Sequence, residues 1–202
     1  MTSFMQGRGF ALTVLALAAV IAGAAAFSLL QPGRGPLGSG VALVGGPFEL
    51  VSHKGEHVTD KDFRGKYMLV SFGYTYCPDV CPTELQVISA ALDELGEKAK
   101  DIQPIFITID PERDTVATLA QYMPSFHPRY IGLTGSPKAI AKAAKAYRVY
   151  YSKGENKGGG DYLMDHSSII YLMDKQGTFL KHFSYGTDAK ALAKGIEEAI
   201  DG

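Results

Sequence analysis

Cysteine occurs only twice in these 202 residues, at Cys77 and Cys81, and tryptophan does not occur at all. Two thiols exclude a disulfide-rich scaffold. They also exclude a closed four-thiolate zinc cage within one chain. Neither sign of charge is in excess, since the formal net charge is -1. Without clustered Lys and Arg, nothing points to a nucleic-acid partner. A content of 46% apolar and 20% charged residues excludes a disordered chain, a collagen and a coiled coil. There is no internal repeat. The length predicts one domain. The question is what two cysteines with three residues between them can do.

Charge is missing altogether from residues 10–30, which read FALTVLALAAVIAGAAAFSLL. A helix needs about 20 apolar residues to cross a bilayer, whereas the core of a secretory signal has about 7–15. The run therefore reads as one transmembrane anchor, although Ala22-Gly23-Ala24 and Ala24-Ala25-Ala26 both offer cleavage sites. Arg8 and the terminal amine precede it and Arg34 follows, so the positive-inside rule puts residues 1–9 in the cytoplasm by a slim count. No Arg- and Ser-rich leader stands ahead of it, which argues against a mitochondrial precursor. The expected setting is a bacterial inner membrane, crossed once, with the carboxyl-terminal part in the periplasm. Residues 31–46, QPGRGPLGSGVALVGG, read as a Gly/Pro-rich tether, and residues 47–202 as the folded domain. The first acid is Glu49, so the domain keeps all 21 acids and 18 of the 20 basic residues, a mild balance of -3.

Within the domain, residues 48–51 and 57–59 predict a hairpin around Lys54-Gly55-Glu56. Residues 67–72 form an apolar strand of the kind buried on both faces. Residues 73–81 read as a loop, followed by a helix over 84–95 with Leu85, Ile88, Leu92 and Leu95 on one face and Gly96 ending it. A buried strand is expected over 105–109, and a helix capped by Asp114 and stopped by Pro124. A short strand over 130–133 follows, then a helix capped by Ser136 with Pro137 at its first position. After the Gly-rich stretch 153–160 comes a hairpin of strands 168–173 and 178–183, closed by a helix over 188–200. Strands alternating with helices and ending in a hairpin and a helix make an α/β pattern.

The cysteines lie in GYTYCPDVCP, between a buried strand and a helix, the strand-end position that active sites favour in open α/β sheets. Residues four apart on a helical turn share a face, with Cβ atoms about 5–6 Å apart. Their sulfurs can join in a disulfide or straddle a soft metal. A helix amino terminus favours thiolate over thiol. One pair thus has two states, a dithiolate that binds metal and a disulfide that does not. A purely structural disulfide would close only a tiny loop, with little entropic gain.

Two thiolates leave a metal an open position. Of the five histidines, His53 and His57 lie in or beside the first hairpin turn and read as surface residues. His127 sits in an extended segment and His182 alternates along the last strand. His166 differs, because it follows the Gly-rich stretch and precedes the strand that begins at Ser168. In a thioredoxin-like arrangement that position faces the redox loop, and this chain has Asp165-His166 where thioredoxins carry a cis-proline. Imidazole with two thiolates suits Cu(I) and accommodates Cu(II) or Zn(II). Spacing alone leaves His166 either a ligand or a structural strand-edge histidine.

The segment GGPFELVSHKGEHVTDKDFRGKYMLVSFGYTYCPDVCPTEL closely resembles the start of the SCO/SenC proteins. IDPERDTVATLAQY resembles their middle segment, and DYLMDHSSIIYLMDKQGTF their late one. The combination of a CxxxC with Pro after each Cys, a DPERDT and a late Asp-His-Ser is specific. The resemblance implies a thioredoxin-like fold with an added amino-terminal hairpin, behind one transmembrane helix. It implies a copper site, Cu(I) or Cu(II), made by Cys77, Cys81 and His166, in a protein that is not an enzyme. It implies delivery of copper to the binuclear Cu(A) centre of cytochrome c oxidase subunit II, supplied by an upstream periplasmic donor. The alternative is a membrane-anchored thiol–disulfide reductase that keeps the subunit II cysteines reduced, using Cys77 and Cys81 as its redox disulfide. Asp165 is expected to hold the His166 ring by a hydrogen bond, and Asp79 to tune the thiols or meet a partner. Met164 has a soft sulfur that could assist copper transiently, but in an apolar run it reads as packing, and Phe72, Tyr74 and Tyr76 read as walls. The 110–114 stretch reads as a turn and a helix cap, or as an exposed charged loop that could dock a target.

Overall fold

The computed structural model describes residues 44–154 and 162–202. The chain divides into two units, Met1–Ala42 and Leu43–Gly202, and all described residues fall in the second. The candidate anchor over residues 10–30 and most of the Gly-rich stretch lie outside them. Among the described residues no helix is long and apolar enough to cross a membrane.

Nine strands and four helices follow one another among the described residues: β1 (Glu49–Ser52), β2 (His57–Thr59), β3 (Tyr67–Gly73), α1 (Val80–Leu95), β4 (Ile102–Thr108), α2 (Val116–Tyr122), β5 (Ile131–Thr134), α3 (Pro137–Ala146), β6 (Tyr151–Lys153), β7 (Met164–His166), β8 (Ile169–Met173), β9 (Phe179–Ser184) and α4 (Ala189–Asp201). Seven strands form one sheet in the order β2-β1-β5-β4-β3-β8-β9, and β6 pairs with β7 in a separate ribbon. The central strands β3, β4 and β5 run parallel, β8 pairs antiparallel with β3, and β9 pairs antiparallel with β8. The expected amino-terminal hairpin is β1–β2, which adds to the far edge through β5.

The two faces of this sheet follow from the period of two along each strand. Met68, Val70 and Phe72 point into one core with Ile105, Ile107, Tyr171 and Met173, against Ile140, Ala143 and Ala144 of α3. Leu69, Phe106, Ile170 and Leu172 point the other way, onto Leu85, Ile88 and Leu92 of α1 and Leu192 and Ile196 of α4. Each buried Leu, Ile or Phe contributes roughly 1.5–3 kcal/mol relative to exposure, so the central strands are the rigid part of the molecule.

Among the differences from the sequence reading, four have a clear physical setting. Helix α1 starts at Val80, not Glu84, because Pro82 falls in its first turn, where a missing N–H costs nothing. Cys81 is therefore helical and Cys77 is not. Strand β4 reaches back past Pro104 to Ile102; β5 pairs only from Ile105 onward, so the proline meets a neighbour on one side alone. The cap of α2 is Thr115, whose side chain accepts from the Thr118 N–H, and not Asp114. Finally, His166 does not merely precede a strand: it ends β7, a three-residue strand opposite Tyr151 that the sequence reading lacked.

Candidate metal centre

Strand β3 ends at Gly73, and the closeness of what lies beyond requires that glycine. A Cβ there would stand 2.9 Å from both Cys81 Sγ and Phe106 Cε2. The Gly73 carbonyl accepts from Ile109 N–H at 2.8 Å, which ties the strand end to β4. From Gly73 the chain turns through Tyr74, Thr75 and Tyr76 to Cys77, half-buried, and enters α1, where Cys81 is only 4% exposed. The Cys81 N–H donates to Cys77 Sγ at 3.4 Å, so the helix amino terminus directs an amide at the first sulfur. Both cysteines are free thiols.

His166 reaches this pair from β7. Its Nε2 lies 3.4 Å from Cys81 Sγ, and its Nδ1 lies 3.1 Å from the Ser167 carbonyl oxygen. A carbonyl only accepts, so these partners assign the proton to Nδ1 and leave the Nε2 lone pair facing Cys81. Burial holds the ring's pKa below its ordinary value, which keeps it neutral and able to ligate. The ring of Tyr74 stands edge-on to it, centroids 6.1 Å apart. Burial also pushes the Cys81 thiol far up. Desolvation thus opposes the thiolate-favouring helix terminus at Cys81, and with Nε2 unprotonated the Cys81 S–H is the group able to donate across this contact.

The other predicted neighbours take different places. The ring-holding bond expected of Asp165 belongs to the Ser167 carbonyl; Asp165 is exposed and bears on His166 through its charge. Asp79 is exposed at the cap position of α1, where its side chain accepts from Thr83 Oγ1 at 3.4 Å. Met164 is buried in the core, as its apolar surroundings predict. His53 is not a free surface residue: its Nδ1 accepts from Gly132 N–H at 3.1 Å and links the first hairpin to β5. His127 accepts from Arg129 N–H, His182 stacks on Phe179, and His57 is exposed.

Two groups of residues that support the site were misread or missed. The 110–114 stretch is not an exposed loop at its acidic ends, because Asp110 and Asp114 are buried. Asp114 accepts from Thr75 N–H at 3.0 Å, Thr75 Oγ1 at 2.5 Å and Thr108 Oγ1 at 2.6 Å, pinning the cysteine loop to β4. Desolvation nevertheless leaves its carboxyl above the usual pKa, against the pull of those bonds. Glu84, on α1 one turn past Cys81, is buried too; burial lifts its pKa to about 7, and Oε2 has no hydrogen-bond partner among the described residues. The signal for both was an acid at a regular position beside an apolar stretch, which is weak in any one sequence.

A groove of about 300 Å³ opens over the centre, lined by Tyr74, Cys77, Pro78, Asp79, Leu163 and His166. A larger one, of about 580 Å³, lies between β1 and α3 and contains no cysteine. Among the described residues no three His, Cys, Asp or Glu side chains already stand as a complete metal cage. What exists is a partly assembled set: Cys81 Sγ meets His166 Nε2, and Cys77 Sγ accepts from the Cys81 N–H beside the groove.

The SCO1/SenC family model matches residues 38–201 of this chain. The human mitochondrial SCO1 homolog is 44% identical over 159 residues, which cover 78% of this chain and 53% of that protein. The matched part of the chain thus spans about half the length of such curated relatives. Among solved structures, copper-bound ScoI of Arabidopsis thaliana is 45% identical with a TM-score of 0.75, covering 78% of this chain and 98% of the other. Copper-bound ScoI of Bradyrhizobium japonicum is 47% identical with a TM-score of 0.71, covering 77% and 99%.

Proposed function

The chain belongs to the SCO1/SenC family, and from that premise we propose that it is a copper metallochaperone whose cargo site is Cys77, Cys81 and His166. The observation that carries this reading is the approach of His166 Nε2 to Cys81 Sγ at 3.4 Å, with Cys77 Sγ tied to the same residue. Two thiolates and an imidazole match the preference of Cu(I) and also hold Cu(II). The copper-bound relatives support the choice of metal.

Copper reaches the site through the groove, where Cys77 is the accessible thiol. Loading displaces both thiol protons, since thiolate is the ligand form. His166 is ready without a proton change, because its Nδ1–H stays on the Ser167 carbonyl. Release runs by ligand exchange, with incoming Cys and His side chains replacing Cys77 first and the buried Cys81 last. The sequence resemblance supports subunit II of cytochrome c oxidase as recipient, its Cu(A) centre as destination, and an upstream periplasmic donor as source. Residues 10–30 then anchor the domain to a bacterial inner membrane with residues 47–202 in the periplasm. Mixing the copper-loaded full chain with copper-free Cu(A) domain of subunit II tests delivery: the recipient gains the copper, and a recipient that stays empty contradicts the reading.

A thiol–disulfide reductase is the second reading. It is favoured by the asymmetry of the pair, an accessible Cys77 backed by a buried Cys81. Cys77 would attack a disulfide of subunit II, and Cys81 would resolve the mixed disulfide, leaving two reduced partner thiols and a Cys77–Cys81 bond. Subunit II reduction that keeps its rate in Cys81→Ser counts against this reading.

A further inference from the structure

We propose that the 110–114 turn is a latch that positions His166 over the thiol pair, with Arg113 and Tyr162 as its working parts. The purpose of that positioning rests on the reading of His166 as a copper ligand. His166 is not carried by the main sheet; among the described residues, the only strand paired with β7 is β6. Something else must fix this ribbon to the body, and the contacts converge on one turn. Arg113 Nη1 donates to the Tyr162 carbonyl at 2.9 Å, and its guanidinium carbon lies 3.7 Å from the centre of the Tyr162 ring. The Tyr162 hydroxyl donates to Asp110 Oδ1 at 2.8 Å, while Asp110 Oδ2 accepts from Arg113 Nε. On β6, Lys153 pairs with Glu112 at 2.6 Å.

The same turn grips the cysteine loop from its other side. Asp114 holds Thr75, and the Arg113 guanidinium carbon lies 4.7 Å from the Tyr76 ring centre and 5.8 Å from that of Tyr74. Arg113 is therefore shared between the loop that carries Cys77 and the segment that carries His166. A planar cation suits this place, because it bonds in its plane and stacks through its faces. Its Nη2 has no hydrogen-bond partner among the described residues, so ring packing takes the place of one bond. The base of the ribbon is held separately, by Ser167 N–H on the Tyr150 carbonyl and by buried Met164. Opening the latch thus frees Tyr162, just ahead of β7, and loosens the approach to His166, while the β6–β7 pairing and the main sheet stay in place. Arg113 and Tyr162 act through His166 and are positioning residues.

The test uses the reduced, metal-free full chain in detergent and reads the ring nitrogens of His166 by NMR. Arg113→Ala is expected to shift and broaden those signals while amides of β3 and β4 keep their positions. Tyr162→Phe, which removes only the hydroxyl, is expected to do the same more weakly. Arg113→Lys keeps the charge but not the stack, and is expected to behave like Arg113→Ala. A folded Arg113→Ala or Tyr162→Phe whose His166 signals superimpose on wild type overturns the latch. A copper arm stands apart: Arg113→Ala should lose affinity about 10–100-fold, the range for residues that orient a metal ligand. If His166→Ala binds copper as wild type does, the ligand reading fails, and the NMR comparison still decides whether the latch exists.

Discussion

Cys81 and His166, 85 residues apart in the chain, meet with Sγ and Nε2 separated by 3.4 Å. The meeting joins the first turn of a helix to a strand outside the main sheet. It presents the deprotonated nitrogen of a neutral imidazole to a thiol that burial keeps protonated. A metal that displaces that proton finds nitrogen and sulfur already adjacent.

The two thiols should differ in reactivity. Cys77 is half-buried beside a groove, while Cys81 is buried and its thiol pushed up. In the folded, reduced, metal-free chain, iodoacetamide is expected to label Cys77 well before Cys81, as read by peptide mass spectrometry. Equal labelling rates would contradict the burial of Cys81.

Gly73→Ala should disturb the centre directly. The new methyl meets Cys81 Sγ and Phe106 at 2.9 Å, and neither is the free end of a flexible chain. Overpacking of this kind costs about 1–3 kcal/mol. Chemical denaturation should show that loss together with weaker copper binding, and an unchanged midpoint would mean that the helix start moves aside freely.

Asp114→Ala should leave the Thr75 N–H and two threonine hydroxyls without their acceptor. An unsatisfied buried donor costs about 1–3 kcal/mol. The expected result is a stability loss of about 3 kcal/mol, with faster hydrogen exchange at Thr75. Asp114→Asn, which keeps one acceptor oxygen, should fall between.

Glu84 gives the fold a pH signature. Its folded pKa of about 7 lies above the ordinary carboxylate value of 4.5, so the folded state holds a proton that the unfolded state has released. The stability it contributes is complete below about pH 4.5 and is lost as pH rises toward 7, on the order of 3 kcal/mol across the window. Glu84→Gln should flatten stability over this range and raise it above pH 7. Parallel curves for the two proteins would show that Glu84 ionises normally.

Much of this architecture was legible in local chemistry. The uniform apolar run of β3, the Ser136-Pro137 start of α3 and the Asp174–Gly177 turn each specify their element without tertiary help. The cysteine pair and His166 were legible as candidates from position, and the family motifs named them together. What escaped was set by distant partners. Strands β6 and β7 are three residues each, too short for any period, and exist because they pair across the Gly-rich stretch. Asp114 looked like a cap because Asp caps helices; the threonines at 75 and 108 that claim it are visible only in space. The exposed reading of residues 110–114 failed for the same reason, since Tyr162 and Thr75 cover its acids from two sides.

Copper titration of the reduced full chain, wild type against His166→Ala, tests the central claim most directly. The site of Cys77, Cys81 and His166 predicts one copper per wild-type chain, with sulfur-to-copper(II) charge-transfer bands that weaken or move when the imidazole is removed. Copper bound with the same affinity and the same bands in His166→Ala would contradict it.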